Sequence, residues 1–62
     1  MDSKSGIAKL MAAGWYEVGQ KGSHIHFKHP TIAGKATVPH PKKDLPLGTL
    51  RSIERQTRIK LR

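Results

Sequence analysis

The chain has 62 residues, of which 35% are hydrophobic, and Trp15, Tyr16 and Phe27 are its aromatic residues. A chain this short buries only about 60% of the surface its unfolded form exposes, which predicts one domain over 1–62 with a thin core and argues against a deep, enclosed cofactor site. Twelve Lys and Arg against four acids leave a net charge of +8, and the absence of cysteine excludes a disulfide framework, a thiolate metal site and a thiol nucleophile.

That charge balance points to a polyanionic partner, nucleic acid ahead of an acidic membrane or an acidic protein. Met1 to Ala13 carries a short apolar run broken by Lys9, with no small-residue cleavage pattern, so it does not read as a signal peptide. No stretch approaches the roughly 20 apolar residues of a membrane-spanning helix. The expectation is a soluble cytoplasmic protein with no membrane partner.

In chain order, Ile7, Leu10 and Met11 fall at i, i+3 and i+4 and predict a first helix with one apolar stripe, with Ser3 or Ser5 as N-cap and Gly14 ending it. Trp15 to Gln20 alternates aromatic and β-branched residues with polar ones and reads as a strand, followed by turn chemistry at Lys21-Gly22. Ser23 to His29 pairs back as a second strand, Pro30 to Gly34 makes a longer loop, and Lys35 to Val38 is a short third strand closed by Pro39. His40-Pro41-Lys42-Lys43 is a basic loop. A last helix starts between Asp44 and Thr49, with Asp44 the favoured N-cap because Pro46 is tolerated in a first turn. On a wheel of about 100° per residue, Leu47, Leu50, Ile53 and Leu61 share an arc of about 120°, while Arg51, Arg55, Arg58 and Arg62 crowd about 60° beside it. The order predicts an α+β sandwich of two layers, α-β-β-β-α, which is also the order of double-stranded-RNA-binding domains.

The segment Lys21-Gly22-Ser23-His24-Ile25-His26-Phe27-Lys28-His29 sets three imidazoles and two ammonium groups on one strand behind a turn. Imidazole both takes and gives a proton near neutral pH, and a site that handles phosphate esters needs such a group beside fixed positive charge. Period-two alternation places His24, His26 and Lys28 on one face and Ile25 and Phe27 on the other. If the apolar side faces the helices, the polar side is open to RNA.

Gly22-Ser23-His24, Phe27-Lys28-His29-Pro30, Thr37-Val38-Pro39-His40-Pro41 and Gly48-Thr49-Leu50-Arg51-Ser52-Ile53, with Arg55-Gln56 after them, resemble the HicA family of bacterial and archaeal toxins. The likeness runs from the Gly14-Trp15 junction to the last helix. It implies a double-stranded-RNA-binding-domain-like fold, a metal-independent endoribonuclease that cleaves messenger RNA and blocks translation, no cofactor, and a HicB-like antitoxin as partner. It also assigns the catalytic role to His24, in the segment after the Gly-Ser turn. Many relatives carry a second histidine directly after the first, where this chain has Ile25, and His26 is the second choice.

Metal-free RNA cleavage can use the neighbouring 2′-hydroxyl as nucleophile, which requires a base, an acid for the leaving 5′-oxygen, and positive charge on the phosphate. Lys21, Ser23, Lys28, Lys42, Lys43, Arg51, Arg55 and Arg58 are the residues expected to meet RNA, setting affinity and orientation rather than sequence choice. The plainer readings are that the Arg ridge and the Lys42-Lys43 pair are solvated surface and that His29 and His40 are loop residues. Trp15 and Tyr16 can stack on bases, although core packing is favoured for at least one of them. A zinc site built from His24, His26, His29 and His40 lacks the thiolate or carboxylate partners that usually complete one. Two non-enzymatic alternatives are a double-stranded RNA-binding module without catalysis and an interaction module whose basic face docks an acidic protein.

Overall fold

The computed structural model describes all 62 residues and contains helix α1 (Ser3–Ala12), strands β1 (Tyr16–Lys21), β2 (His24–Lys28) and β3 (Ala36–Pro39), and helix α2 (Leu47–Thr57). The expected α-β-β-β-α order is the one the chain adopts. The strands form a single antiparallel sheet in the order β1-β2-β3. Ile25 and Phe27 of β2 and Ala36 and Val38 of β3 point to one side, where they meet Leu10 of α1 and Leu50 and Ile53 of α2. Each large side chain buried there contributes about 1.5–3 kcal/mol, so this one layer supplies most of the drive to fold. Both helices therefore cover one side of the sheet, chiefly over β3. No residue within β1 is buried, and the strand is an outlying edge.

The end of α1 follows from its sequence. Gly14, at φ 101, lets the chain reverse so that its N–H donates to Met11 O at 3.1 Å and the Trp15 N–H to Leu10 O at 3.0 Å, the paired bonds of a Schellman cap. The reversal drops Trp15 into the core beside Leu10. At the other end the N-cap is Asp2, whose carboxylate accepts from Ser5 N at 3.1 Å, and not Ser3 or Ser5. Ser3 is instead buried: its N–H donates to Lys42 O and its hydroxyl accepts from Lys42 N, each at 2.8 Å. Met11, expected on the apolar stripe, is 55% exposed because α1 buries a narrow face centred on Leu10.

Helix α2 differs more from its expectation. Its N-cap is Pro46, while Asp44 takes the amino-terminal ammonium at 3.2 Å. The helix stops at Thr57, where Arg58 adopts left-handed backbone at φ 62 and donates its N–H to Glu54 O at 2.7 Å. Leu61 is buried, but from the non-helical tail, and Leu47 lies 52% exposed in the first turn. The expected four-arginine ridge is thereby cut to Arg51 and Arg55, with Arg55 Nη2 on Ser52 Oγ at 3.1 Å. Arg62 pairs with Glu54 at 3.2 Å. Hydrogen bonding from the Leu61 amide and then from Arg62 holds the Glu54 carboxyl below its usual value.

Candidate active site

The side of the sheet away from the helices carries three cross-strand rows. Lys21 of β1, His24 of β2 and Pro39 of β3 are register partners, as are Gly19, His26 and Thr37, and Tyr16 faces Lys28. Side chains so paired stand about 4.5–5.5 Å apart. His24 and Lys28 are exposed and His26 is half-buried, while Ile25 and Phe27 between them are buried on the helix side. The alternation expected from the sequence is the one observed.

The alternation of β1 is broken. The register slips between Glu17, opposite Phe27, and Gly19, opposite His26, which leaves Val18 as an extra residue in a bulge. Lys21 belongs to the strand rather than to the turn, which consists of Gly22, at φ 59, and Ser23. The bulge brings Lys21 onto the His24 side of the sheet, in keeping with the tendency of bulges to re-aim side chains beside functional sites.

The four histidines separate into different environments. His26 Nδ1 lies 2.9 Å from Thr37 Oγ1, which fixes the ring and leaves its other nitrogen free. His29 accepts the Thr31 and Ile32 N–H groups at Nδ1, at 3.1 and 3.3 Å. Its Nε2–H must therefore donate to Ala13 O at 2.9 Å. The ring also meets Trp15 edge-on, centroids 5.3 Å apart. His40 Nδ1 lies 2.7 Å from Ser3 Oγ, on the helix-α1 side of the molecule. His24 is the histidine whose ring makes no hydrogen bond to the protein, and both its nitrogens are open to a substrate. No three potential ligands converge on a metal site, so the four-histidine zinc arrangement is not formed.

Positive charge gathers at the same end of the sheet as His24. His40 N donates to Ser23 O at 2.6 Å, tying the loop after β3 to the turn before His24. From there Lys42 and Lys43, together with Lys4 and His40, line a shallow depression of about 250 Å³ at the start of α1. Asp2 borders it, its carboxyl held below the usual range by hydrogen bonding from Ser5. Sequence reasoning did not single out Lys4 or the Ser3–His40 pair, whose only signal is contact between residues 37 positions apart. Arg51 and Arg55 lie on α2, in the helix layer across the sheet from His24, and Arg58 closes that helix. The structure thus joins Lys21, Ser23, His24 and Lys28 with His26 and does not bring the α2 arginines to them.

The family model described as the HicA toxin of bacterial toxin-antitoxin matches residues 4–59, nearly the whole chain. The chain belongs to the HicA toxin family. No curated protein matches it at a significant level. Membership makes the protein a toxin of a toxin–antitoxin system. The HicA match covers both the His24 sheet face and the basic end described above. No helix is long and apolar enough to cross a membrane.

Proposed function

We propose that this toxin is an endoribonuclease that cuts messenger RNA by proton transfer at His24, without a metal ion, and that a HicB-like antitoxin silences it. The observation that carries the reading is the position of His24: exposed on the open sheet face, its ring unbonded to the protein, opposite Lys21 and next on that face to the fixed ring of His26. In this chemistry one imidazole removes the proton of the 2′-hydroxyl, the 2′-oxygen bonds to phosphorus, and the bond to the 5′-oxygen breaks as that oxygen takes up a proton. The products are a 2′,3′-cyclic phosphate and a 5′-hydroxyl. His24 serves in one proton transfer and His26, oriented by Thr37, is placed for the other, with Lys21 and Lys28 offsetting phosphate charge. The net charge of +8 supports a polyanionic substrate and equally suits an acidic antitoxin surface laid over it.

The test is incubation of purified protein with end-labelled RNA, with and without chelator. The parent is expected to cut in both conditions, and His24→Ala to lose at least about 100-fold in rate while keeping its fold and its binding to antitoxin. Cleavage retained by His24→Ala overturns the assignment, and cleavage abolished by chelator overturns the metal-free chemistry.

A further inference from the structure

We infer that Tyr16 and Lys28 form a subsite for an unpaired nucleobase of the RNA, so that the open sheet face takes a single strand rather than a duplex. The inference rests on the ribonuclease reading above and adds the form of the substrate to it.

The three aromatic residues have separate fates. Trp15 and Phe27 are 2% and 1% exposed and belong to the core, whereas Tyr16 is 48% exposed. It stands on β1, which the helices leave uncovered, directly across from Lys28. Lys28, His26 and His24 alternate along β2 on that same side, and strand rise separates the Lys28 and His24 positions by roughly 13 Å. Between Tyr16 and Lys21 the third β1 position on this side is Gly19, and a side chain there meets nothing within 4 Å. The face therefore offers a ring at one end, open space in the middle, and the His24–Lys21 pair at the other.

A nucleobase is the occupant this arrangement suits. Aromatic side chains bind unpaired bases through their π-faces, and neighbouring cations hold the phosphates, a combination that polar protein surfaces do not match. The charge beside Tyr16 is cationic, from Lys28, so the chemistry around the ring favours an anionic chain that carries planar apolar groups. Bases inside a duplex are stacked on one another and cannot reach the ring, hence the requirement for an unpaired nucleotide. With the ring that far from His24, the stacked base is a neighbour of the cleaved bond rather than the nucleotide at it.

The experiment uses the full chain carrying His24→Ala, so that RNA is held without being cut, and unpaired oligonucleotides labelled with 2-aminopurine. Tyr16→Leu is expected to weaken binding roughly 5- to 100-fold and to abolish the stacking-induced fluorescence change, with Tyr16→Phe close to the parent. Replacing single nucleotides by abasic sites is expected to weaken parent binding at one position and to leave Tyr16→Leu unaffected there. A Tyr16→Leu protein that binds as tightly as the parent overturns the subsite, as does an equal loss for intact and abasic RNA, or a parent that prefers the duplex of the same sequence. If the protein with His24 intact cleaves RNA but Tyr16→Leu is neutral for binding in the His24→Ala background, the subsite alone falls. If the protein with His24 intact neither binds nor cleaves RNA, the ribonuclease reading falls with it.

Discussion

His29 and His24 lie on one short segment, yet the structure predicts opposite consequences for their loss. The His29 ring satisfies Ala13 O, Thr31 N and Ile32 N and packs edge-on against Trp15. It ties the end of α1 to the loop after β2. Its backbone contacts are largely accessible to water, so each is worth the lower end of the usual range, about 0.5 kcal/mol. The aromatic contact adds about 0.5–1 kcal/mol. His29→Ala is therefore expected to destabilise the fold by about 2 kcal/mol, which in a domain of this size lowers Tm by roughly 8–16 °C. Thermal unfolding followed by circular dichroism measures the shift. Trp15, the sole tryptophan, reports it locally through a red-shifted emission. Below its lowered Tm the variant is expected to cleave RNA at nearly the parent rate, whereas His24→Ala melts like the parent and does not cleave. A folded His29→Ala protein that has lost cleavage, or one that melts within about 2 °C of the parent, a shift of well under 1 kcal/mol, refutes the division between structural and catalytic imidazole.

Two further outcomes follow from single contacts. The Glu54 carboxyl is held below its usual value in the folded state, so the folded protein binds fewer protons than the unfolded chain around the usual carboxylate pKa. The stability it contributes is present above that usual value and is lost as pH falls from there through the lowered value of the folded state, and Glu54→Gln is expected to flatten the decline of Tm below roughly pH 5. Thr37→Val removes the hydroxyl that fixes His26 and is expected to lower kcat by about 10-fold, with KM little changed and Thr37→Ser restoring the rate; full loss of a proton-transfer group costs roughly 100-fold or more. Equal kcat in Thr37→Val and parent removes the positioning role.

The parts of the fold legible in the sequence are those set by local periodicity. Ile25 and Phe27 alternate with His24, His26 and Lys28, and the two faces of β2 separate as that pattern requires. Gly14 marks the end of α1 because no other residue takes φ 101 so readily, and a Cβ there lies 2.8 Å from His29 Nε2. What periodicity misrepresents is α2, where a helical wheel extends the apolar and basic stripes past a stop that carries no glycine. Arg58 ends the helix in left-handed backbone at a cost of roughly 1 kcal/mol, and the buried Leu61 and the Glu54 pairings with Leu61 and Arg62 hold the tail that follows. Asp44 resembles an N-cap in sequence, but Leu45 N donates to Met1 O and draws Asp44 to the amino terminus. A contact between residues 43 positions apart leaves no local signature.

The candidate site depends on another feature that periodicity alone does not show, a bulge in β1. In an unbroken strand starting with Tyr16 opposite Lys28, Val18 would oppose His26 and Gln20 would oppose His24. Lys21 would then point toward the helix layer. The extra residue at Val18 shifts the remainder of β1 by one, exchanging Val18 for Gly19 beside His26 and Gln20 for Lys21 beside His24. Because side chains alternate with period two, a slip of one residue moves each to the opposite side. One inserted position thus both clears space beside His26 and supplies a cation to His24. Tyr16, before the bulge, keeps its place on the same face. The sequence contains every one of these residues, but the side each occupies is decided by pairing with β2, and that pairing unites the ring, the gap, the imidazoles and the lysines on one surface.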